Sequence, residues 1–211
     1  DEVGDLYPAG KDGRSVLAYM WAHTAPCRNP TCRGQIPLLR TLLVCNKKDK
    51  QIAVTMEVDK ATKRVTWGIA KDKAIRQKDG PKRERGPAMC PFCDQPTKEA
   101  EIRESSRNGE LGQQLIAVIV EGQHGRDYRA PEPTDLAAYE RAVAQKPERP
   151  MEPLLPEITT VADEDDAATN STGIRVHQYG LKTWGSLFNE RQLLVLQTVT
   201  RLVQEAIAQV L

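Results

Sequence analysis

Four cysteines in two close pairs carry the most specific chemistry in this sequence. Four residues separate the cysteines of the first pair, and two residues separate those of the second. Two thiolates on one tight turn can bind a single metal ion, and two such turns supply the four sulfur ligands of tetrahedral zinc. The spacing therefore predicts one closed, structural zinc site that joins two hairpins far apart in sequence. Its predicted ligands are Cys27, Cys32, Cys90 and Cys93.

Other arrangements of these side chains stay open at this stage. Two disulfides are one alternative, although five cysteines are an odd number and nothing marks the chain as secreted. A dithiol redox pair at Cys90 and Cys93 is another, but it would need a strand before it and a helix after it, and residues 87–89 make a poor strand. His23, four residues before Cys27, is an alternative fourth ligand.

The remaining candidate residues carry weaker signals. Cys45 ends the apolar run 42–44 and is predicted to be a small buried side chain. His124 and His177 stand singly in polar, glycine-containing segments, which is typical of loops and surfaces. The acidic run 163–166 has the composition of a cation site, but adjacent acids are more often a solvated loop.

Motifs for catalysis are missing from the sequence. A zinc ion bound by four thiolates has no open position for water or substrate, so such a site is not catalytic. The sequence contains no glycine-rich phosphate loop and no Gly-x-Ser-x-Gly nucleophile elbow. We therefore expect a binding or scaffolding domain that does not catalyse a reaction by itself.

Charge is unevenly distributed, although the net charge is only +1. Residues 46–86 contain 13 Lys/Arg and 6 Asp/Glu, a balance of +7, whereas residues 131–166 contain 3 and 10, a balance of −7.

Within the basic part, residues 71–86 lack a helical stripe and are predicted to form a mobile loop. Lys and Arg neutralise phosphates, and the nearby Trp67 is a candidate for stacking on a base. A solvated loop that only maintains solubility is the alternative. The candidate nucleic-acid contacts are Lys71, Lys73, Arg76, Lys78, Lys82, Arg83 and Arg85.

Strands are expected to position the cysteines, because short apolar runs alternate with turn residues over the first 130 residues. Three consecutive runs between residues 38 and 69 predict an antiparallel meander. The predicted strands are 15–22, 38–45, 52–58, 64–69 and 111–121.

Helices are expected at three places. Thr97 and Thr134 are the predicted N-caps of helices that end at residues 106 and 144. The longest helix is predicted over 189–211, where Asn189 and Gln192 have capping-box spacing. Its apolar stripe consists of Leu193, Leu196, Val199, Val203, Ala206 or Ile207, and Val210.

Together these elements predict an α+β fold with zinc-ribbon-like β-hairpins, a small antiparallel sheet and a long C-terminal helix. The expected regions are a β-rich zinc-ribbon-like part (1–130), a helix with an acidic, proline-rich strap (131–178) and the C-terminal helix packing on the core (179–211). Aromatic residues make up only 5% of the chain, so a metal cross-link would add useful stability to a modest core. No apolar stretch approaches a membrane span, and we expect a cytoplasmic protein.

Several segments, taken in order, resemble one protein family. They resemble the central part of the zinc-ribbon-containing adenine-specific DNA methylases, prokaryotic proteins with an N-terminal domain of unknown function. Arg28 departs from the resemblance, since the family often has proline there. The resembling segments are 18–24, 27–32, 36–39, 90–93, 128–131 and 179–193.

The resemblance implies an insertion domain within a methyltransferase that methylates the exocyclic amine of adenine after flipping the base. In that family the S-adenosylmethionine-binding motif lies upstream of this segment and the catalytic Asp-Pro-Pro-Tyr lies downstream, and neither occurs in this sequence. S-adenosylmethionine would therefore bind only to the full-length parent, and both ends of the chain are expected to be cuts in a longer protein. The expected partners are duplex DNA and the flanking methyltransferase core. The alternative is a protein-interaction or scaffolding domain of the same methylase or of a phage-defence complex, without direct DNA contact.

Overall fold

Short strands and turns make up most of the chain up to residue 132, and longer helices follow. The computed structural model describes residues 2–83, 86–123, 125–152, 154 and 176–210. These residues contain nine strands and three α-helices, which confirms the predicted α+β class with a C-terminal helix. The strands are β1 (Val16–Pro26), β2 (Gln35–Pro37), β3 (Leu43–Lys47), β4 (Lys50–Asp59), β5 (Arg64–Lys71), β6 (Ala88–Met89), β7 (Pro96–Thr97), β8 (Gly112–Gly122) and β9 (Gly125–Arg129). The helices are α1 (Glu99–Arg107), α2 (Pro133–Ala144) and α3 (Glu190–Val210).

The chain divides into two compact units, one formed by residues 9–132 and the other by residues 1–8 with 133–211. The nine strands and α1 belong to the first unit, and α2 and α3 belong to the second. The predicted regions with boundaries at 130 and 178 stay a prediction, because most of the acidic strap lies outside the described residues.

The largest sheet of the first unit is antiparallel, with the strand order β2-β1-β8-β9. Its two central strands pair along most of their length, from Val16 opposite Val120 to Thr24 opposite Gly112. The apolar run of β8 explains this position, since a central strand is covered on both faces and favours continuous β-branched residues. β9 had not been predicted, because its sequence is polar and lacks apolar alternation.

The predicted meander forms a second sheet with the order β3-β4-β5. Its buried face meets the first sheet through an apolar cluster that contains residues of both. Burial of this cluster stabilises the unit, because apolar area removed from water favours folding by about 25 cal/mol per Å². The buried members of the cluster are Ala22, Leu42, Val54, Trp67, Ile116 and Ala117.

The predicted strand 38–45 was too long at its start, since β3 begins only at Leu43. Leu42 is buried, but its backbone N–H donates to the carbonyl of Lys78 at 2.7 Å instead of to a sheet neighbour. The apolar pattern indicated burial correctly, and it could not show that the hydrogen-bond partner is a distant segment.

Two of the predicted helix caps were wrong. Thr97 is the last residue of β7, and the backbone N–H of Lys98 instead donates to the carboxylate of Glu101 at 2.6 Å. Helix α2 begins at Pro133, so Thr134 lies in its first turn; proline suits that position because its missing N–H would be unpaired there anyway.

The capping box of α3 is confirmed. The N–H of Asn189 donates to Gln192 Oε1 at 3.0 Å, and the N–H of Gln192 donates to Asn189 Oδ1 at 3.1 Å. Satisfying two of the free N–H groups at a helix start stabilises that start.

In the second unit, α3 packs against α2 near the start of α3. Leu193 is buried there, as is the guanidinium of Arg191, which lies 5.5 and 5.7 Å from the ring centres of Tyr7 and Tyr139. Beyond this contact the stripe residues Leu196, Val199, Val203 and Ile207 are exposed, and the side chain of Val210 lies outside the described residues. No described helix is long and apolar enough to cross a membrane.

Candidate metal centre

The first cysteine pair sits on the turn between β1 and β2. The backbone N–H of Cys27 donates to the carbonyl of Gly34 at 2.9 Å, and those of Cys32 and Arg33 donate to the carbonyl of Asn29 at 3.0 and 3.1 Å. Asn29 Oδ1 also accepts the N–H of Thr31 at 3.1 Å, which tightens the turn. These bonds point both thiols to the same side of the turn.

The second pair sits on a hairpin of the same design, between β6 and β7. The N–H of Cys90 donates to the carbonyl of Gln95 at 3.0 Å, and the N–H of Asp94 donates to the carbonyl of Cys90 at 2.9 Å. In each turn the residue after the second cysteine has a left-handed backbone, with φ of 53° at Arg33 and 59° at Asp94. This repeated left-handed conformation reverses the chain direction after the second thiol. The residue types at these two positions do not predict it.

The four sulfur atoms converge on one point. Cys27 Sγ lies 3.6 Å from Cys93 Sγ, Cys32 Sγ lies 3.7 Å from Cys90 Sγ, and all four lie within 4.8 Å of one another. A zinc ion with Zn–S bonds of about 2.3 Å at its centre requires S–S separations of about 3.8 Å. The four predicted ligands therefore form a cluster that fits a tetrahedral ion.

The disulfide and redox alternatives do not fit this geometry. A disulfide requires a sulfur separation of about 2.05 Å, and all five cysteines are free. Cys90 follows a two-residue strand, and Cys93 is followed by strand β7 where a redox motif would have a helix. A shared metal ion is the arrangement that accounts for both the distances and the two turns.

Burial and hydrogen bonds shift the pKa values of the thiols in opposite directions. Burial raises the pKa of Cys27 and of Cys90, which are fully enclosed. Burial acts in the same direction on Cys93, but hydrogen bonds from the Gln95 N–H and from the other thiols outweigh it and lower the pKa of Cys93 to about 7. Four thiolates in such a space would repel one another, so a divalent cation is needed to keep them all ionised.

Packing around the cluster holds the two turns and helix α1 together. The ring of Phe92 lies against Gly34, so closely that a Cβ on Gly34 would be 2.3 Å from Phe92 Cδ2. Arg28 donates to the carbonyl of Glu101 at 3.1 Å and to Glu104 Oε2 at 2.9 Å, which ties α1 to the first turn. The residue pattern predicts neither contact, because each depends on the two distant turns meeting.

Cys45 and His23 lie outside the cluster. His23 is an exposed residue of β1 opposite Gln113, and it does not belong to the metal-binding group found among the described residues. Cys45 is half-buried in β3, where we predicted a buried residue. His124 and the side chain of His177 lie outside the described residues, as does the acidic run 163–166.

The basic segment, which we define as residues 71–86, is attached to the rest of the unit over its described part. The N–H of Gly80 donates to the carbonyl of Arg40 at 3.0 Å, and the N–H of Lys82 donates to that of Leu39 at 2.9 Å. A Cβ on Gly80 would be 2.1 Å from the Leu39 oxygen, so this close approach requires glycine. A mobile loop was predicted, and backbone hydrogen bonds were found instead.

The candidate nucleic-acid contacts have different environments. Lys71 Nζ pairs with Asp127 Oδ1 at 2.8 Å, and Lys82 Nζ pairs with Glu99 Oε2 at 2.6 Å. The Lys82 side chain is only 14% exposed, which argues against a role in binding phosphate. Arg85 lies outside the described residues. The exposed candidates are Lys71, Lys73, Arg76, Lys78 and Arg83.

Trp67 does not suit the stacking role that the sequence suggested. Its side chain is 8% exposed within the apolar cluster, and its Nε1–H donates to Gln114 Oε1 at 3.3 Å. A base could not reach either face of a ring that is packed in this way.

No protein-family model matches the chain, and neither a curated protein nor a solved structure matches it. The resemblance to the methylase family therefore stays a prediction from the sequence.

Proposed function

We propose that this chain is a zinc-stabilised DNA-binding domain that positions duplex DNA for a flanking S-adenosylmethionine-dependent adenine methyltransferase core. The proposal has two parts, and each is supported by a different kind of observation. The thiol cluster and the basic segment support a zinc-held, DNA-binding surface, whereas the link to methyl transfer rests on the sequence resemblance. In this proposal zinc has a structural role, because four thiolates leave no position for a reacting group.

One observation carries the proposal: the basic segment is bonded to the strand that leads into the second cysteine turn. The N–H of Met89, one residue before Cys90, donates to the carbonyl of Pro81 at 2.9 Å. Lys82 and Ala88 form a β-bridge beside it. Metal binding at Cys90 would thus hold the backbone from which the neighbouring cations project.

The exposed cations of this segment would contact phosphates and not bases. Lys and Arg side chains on an irregular segment neutralise backbone charge and release counterions, a contribution that does not depend on base sequence. Their expected role is to orient the duplex, while base selection would fall to the methyltransferase core.

The test is a titration of fluorescent duplex DNA with the whole chain at about 50 and about 200 mM salt, followed by anisotropy. The wild type should bind, with an affinity that falls steeply as salt rises. Reversing Arg76, Lys78 and Arg83 to Glu should weaken binding at least about tenfold and lower the salt slope by about two to three, since each phosphate contact contributes about 0.9.

A matched control reverses Lys60 and Lys63, on the turn between β4 and β5, and Arg64, the first residue of β5, to Glu. This variant has the same net charge as the test variant but carries the change outside the basic segment. Equal losses in both variants, or a wild type that binds no duplex, would contradict the proposal.

A second candidate function is docking of α3 on the flanking methyltransferase core. The observation that favours it is the exposed apolar stripe, in which Leu196, Val199, Val203 and Ile207 are each 48–54% exposed. An amphipathic helix buries such a stripe against a complementary groove. Exposed apolar faces of this kind mark interaction surfaces more often than isolated exposed residues do.

Co-expression with the core as a separate polypeptide tests this second function. Val199→Asp with Val203→Asp should abolish co-purification and leave DNA affinity within about twofold. Gln204→Asp, on the same exposed part of the helix, should leave co-purification intact. Retained co-purification of the double variant would exclude docking through this stripe.

A further inference from the structure

We propose that the DNA-binding surface extends to a second group of cations, the turn cluster, made of Lys47, Lys48, Lys50, Lys71, Lys73 and Arg126. This inference rests on the proposed DNA binding. Lys71 and Lys73 also belong to the basic segment, and the residues that the inference adds are Lys47, Lys48, Lys50 and Arg126. The cluster would hold a stretch of phosphate backbone next to the stretch held by the basic segment.

Three separate pieces of chain meet in the turn cluster. The ammonium of Lys50, at the start of β4, donates to the carbonyl of Arg126 in β9 at 2.7 Å. The backbone N–H of Gln51 donates to Asp72 Oδ1 at 2.8 Å, which fixes the short 3-10 turn Asp72–Ala74 beside the same strand. The β3–β4 turn, the end of β5 and β9 thus form one continuous surface.

Positive charge exceeds negative charge on this surface. The turn cluster contains six cations. The acids are Asp49, Asp72 and Asp127 in the same pieces of chain and Glu121, which lies opposite Arg126 in the sheet, so the balance is +2. Two of these acids are already used within the fold, because Asp72 accepts a backbone N–H and Asp127 pairs with Arg14 and Lys71. All the cations except the half-buried Lys50 are exposed.

The turn cluster is connected to the exposed cations of the basic segment. Lys78 Nζ donates to Gln51 Oε1 at 3.3 Å, which places Lys78 between the two groups. A row of ammonium and guanidinium groups along several loops suits a linear polyanion with regularly repeated charges. Lysine acts there as a point charge with no preferred partner geometry, so we expect sequence-independent contacts.

The test uses the whole chain, with Lys47→Glu and Lys48→Glu combined in one variant. We expect duplex affinity to fall at least about fivefold at low salt and the salt slope to decrease by up to about two, one phosphate contact accounting for about 0.9. The matched control combines Lys60→Glu and Lys63→Glu on the turn at the other end of β4, about 30 Å away at about 3.3 Å per residue. The control should bind within about twofold of the wild type.

Each outcome is decisive. A wild type that binds no duplex overturns both this inference and the proposed function, whereas duplex binding with equal affinities of the turn variant and the control overturns this inference only. Equally tight binding of poly-glutamate and duplex DNA by the wild type would indicate an acidic protein partner and would also overturn it. Unchanged thermal unfolding midpoints verify that both variants remain folded.

Discussion

At the scale of single residues, Gly34 is a position where the two cysteine turns pack directly against each other. The adjacent Phe92 ring is buried and lies between the two cysteines of the second turn, so it cannot move away without displacing them. The metal centre therefore requires glycine at position 34, because a side chain there would displace Phe92. Gly34 itself does not bind the metal.

We predict that Gly34→Ala lowers the free energy of unfolding by about 1–3 kcal/mol, the usual cost of overpacking a filled site. Chemical denaturation of the zinc-loaded protein measures this. In the double variant with Phe92→Leu the loss should be smaller than the sum of the two single losses, because the ring causes the clash. Additive losses would show that Phe92 does not limit the space at Gly34.

Asp127 is a second residue whose environment leads to a specific expectation. Burial would raise the pKa of this carboxyl, but hydrogen bonds from Lys71, from the Tyr128 N–H and from Arg14 outweigh burial and hold the pKa well below its usual range. A carboxyl with a lowered pKa in the folded state adds stability above its unfolded pKa of about 3.9, and this contribution disappears as the pH falls toward the folded pKa.

Asp127→Asn should therefore reduce the free energy of unfolding by about 1–2 kcal/mol at pH 7, since charge-assisted hydrogen bonds are lost. The difference between variant and wild type should shrink as the pH is lowered below about 4. Urea titrations across this range provide the measurement, with the exposed Asp49→Asn as the control. A difference that stays constant with pH would contradict the proposed ionic role of Asp127.

At the scale of elements, Arg28 attaches helix α1 to the first cysteine turn. Its guanidinium contacts Glu101 and Glu104, and the residue before it is the ligand Cys27. This attachment between helix and turn depends on the Arg28 side chain.

Arg28→Ala should lower the free energy of unfolding by about 1–3 kcal/mol, because it removes charge-assisted hydrogen bonds. It should not change the zinc content, since none of the four sulfur ligands is altered. Urea unfolding and metal analysis on the same sample separate the two effects. Arg76→Ala, a truncation at an exposed site, should leave both quantities unchanged. Loss of zinc from Arg28→Ala would show that the contact with α1 forms part of the metal centre.

The elements also show which parts of the fold could be predicted. Alternating apolar residues predicted β4 and β5 nearly to their ends, because adjacent strands in a meander need only local patterning and short turns. The predicted start of the strand at 38–45 was wrong, because the hydrogen bonds of these first residues go to the basic segment about 37 residues away. Local patterns do not contain such long-range pairings. For α3, the sequence predicted the capping box and the stripe, but not which part of the stripe is covered.

At the scale of the whole molecule, the four-cysteine site could be predicted from the sequence, because its ligands lie in two turns whose spacing has few other uses. The surrounding packing could not be predicted, since it depends on how the two hairpins meet. The same limit applies to the candidate DNA contacts. Lys71 and Lys82 look alike in sequence, yet the latter is enclosed beside Glu99 and only the former is exposed.

Metal analysis of the purified protein, combined with thiol labelling, tests the central claim most directly. We expect one zinc per chain, with Cys27, Cys32, Cys90 and Cys93 protected from alkylation until a chelator removes the metal. Cys90→Ser should lose the zinc and unfold at a lower temperature, whereas Cys45→Ser should keep it. Folded protein that contains no transition metal, or in which these four thiols are alkylated freely, would contradict the account.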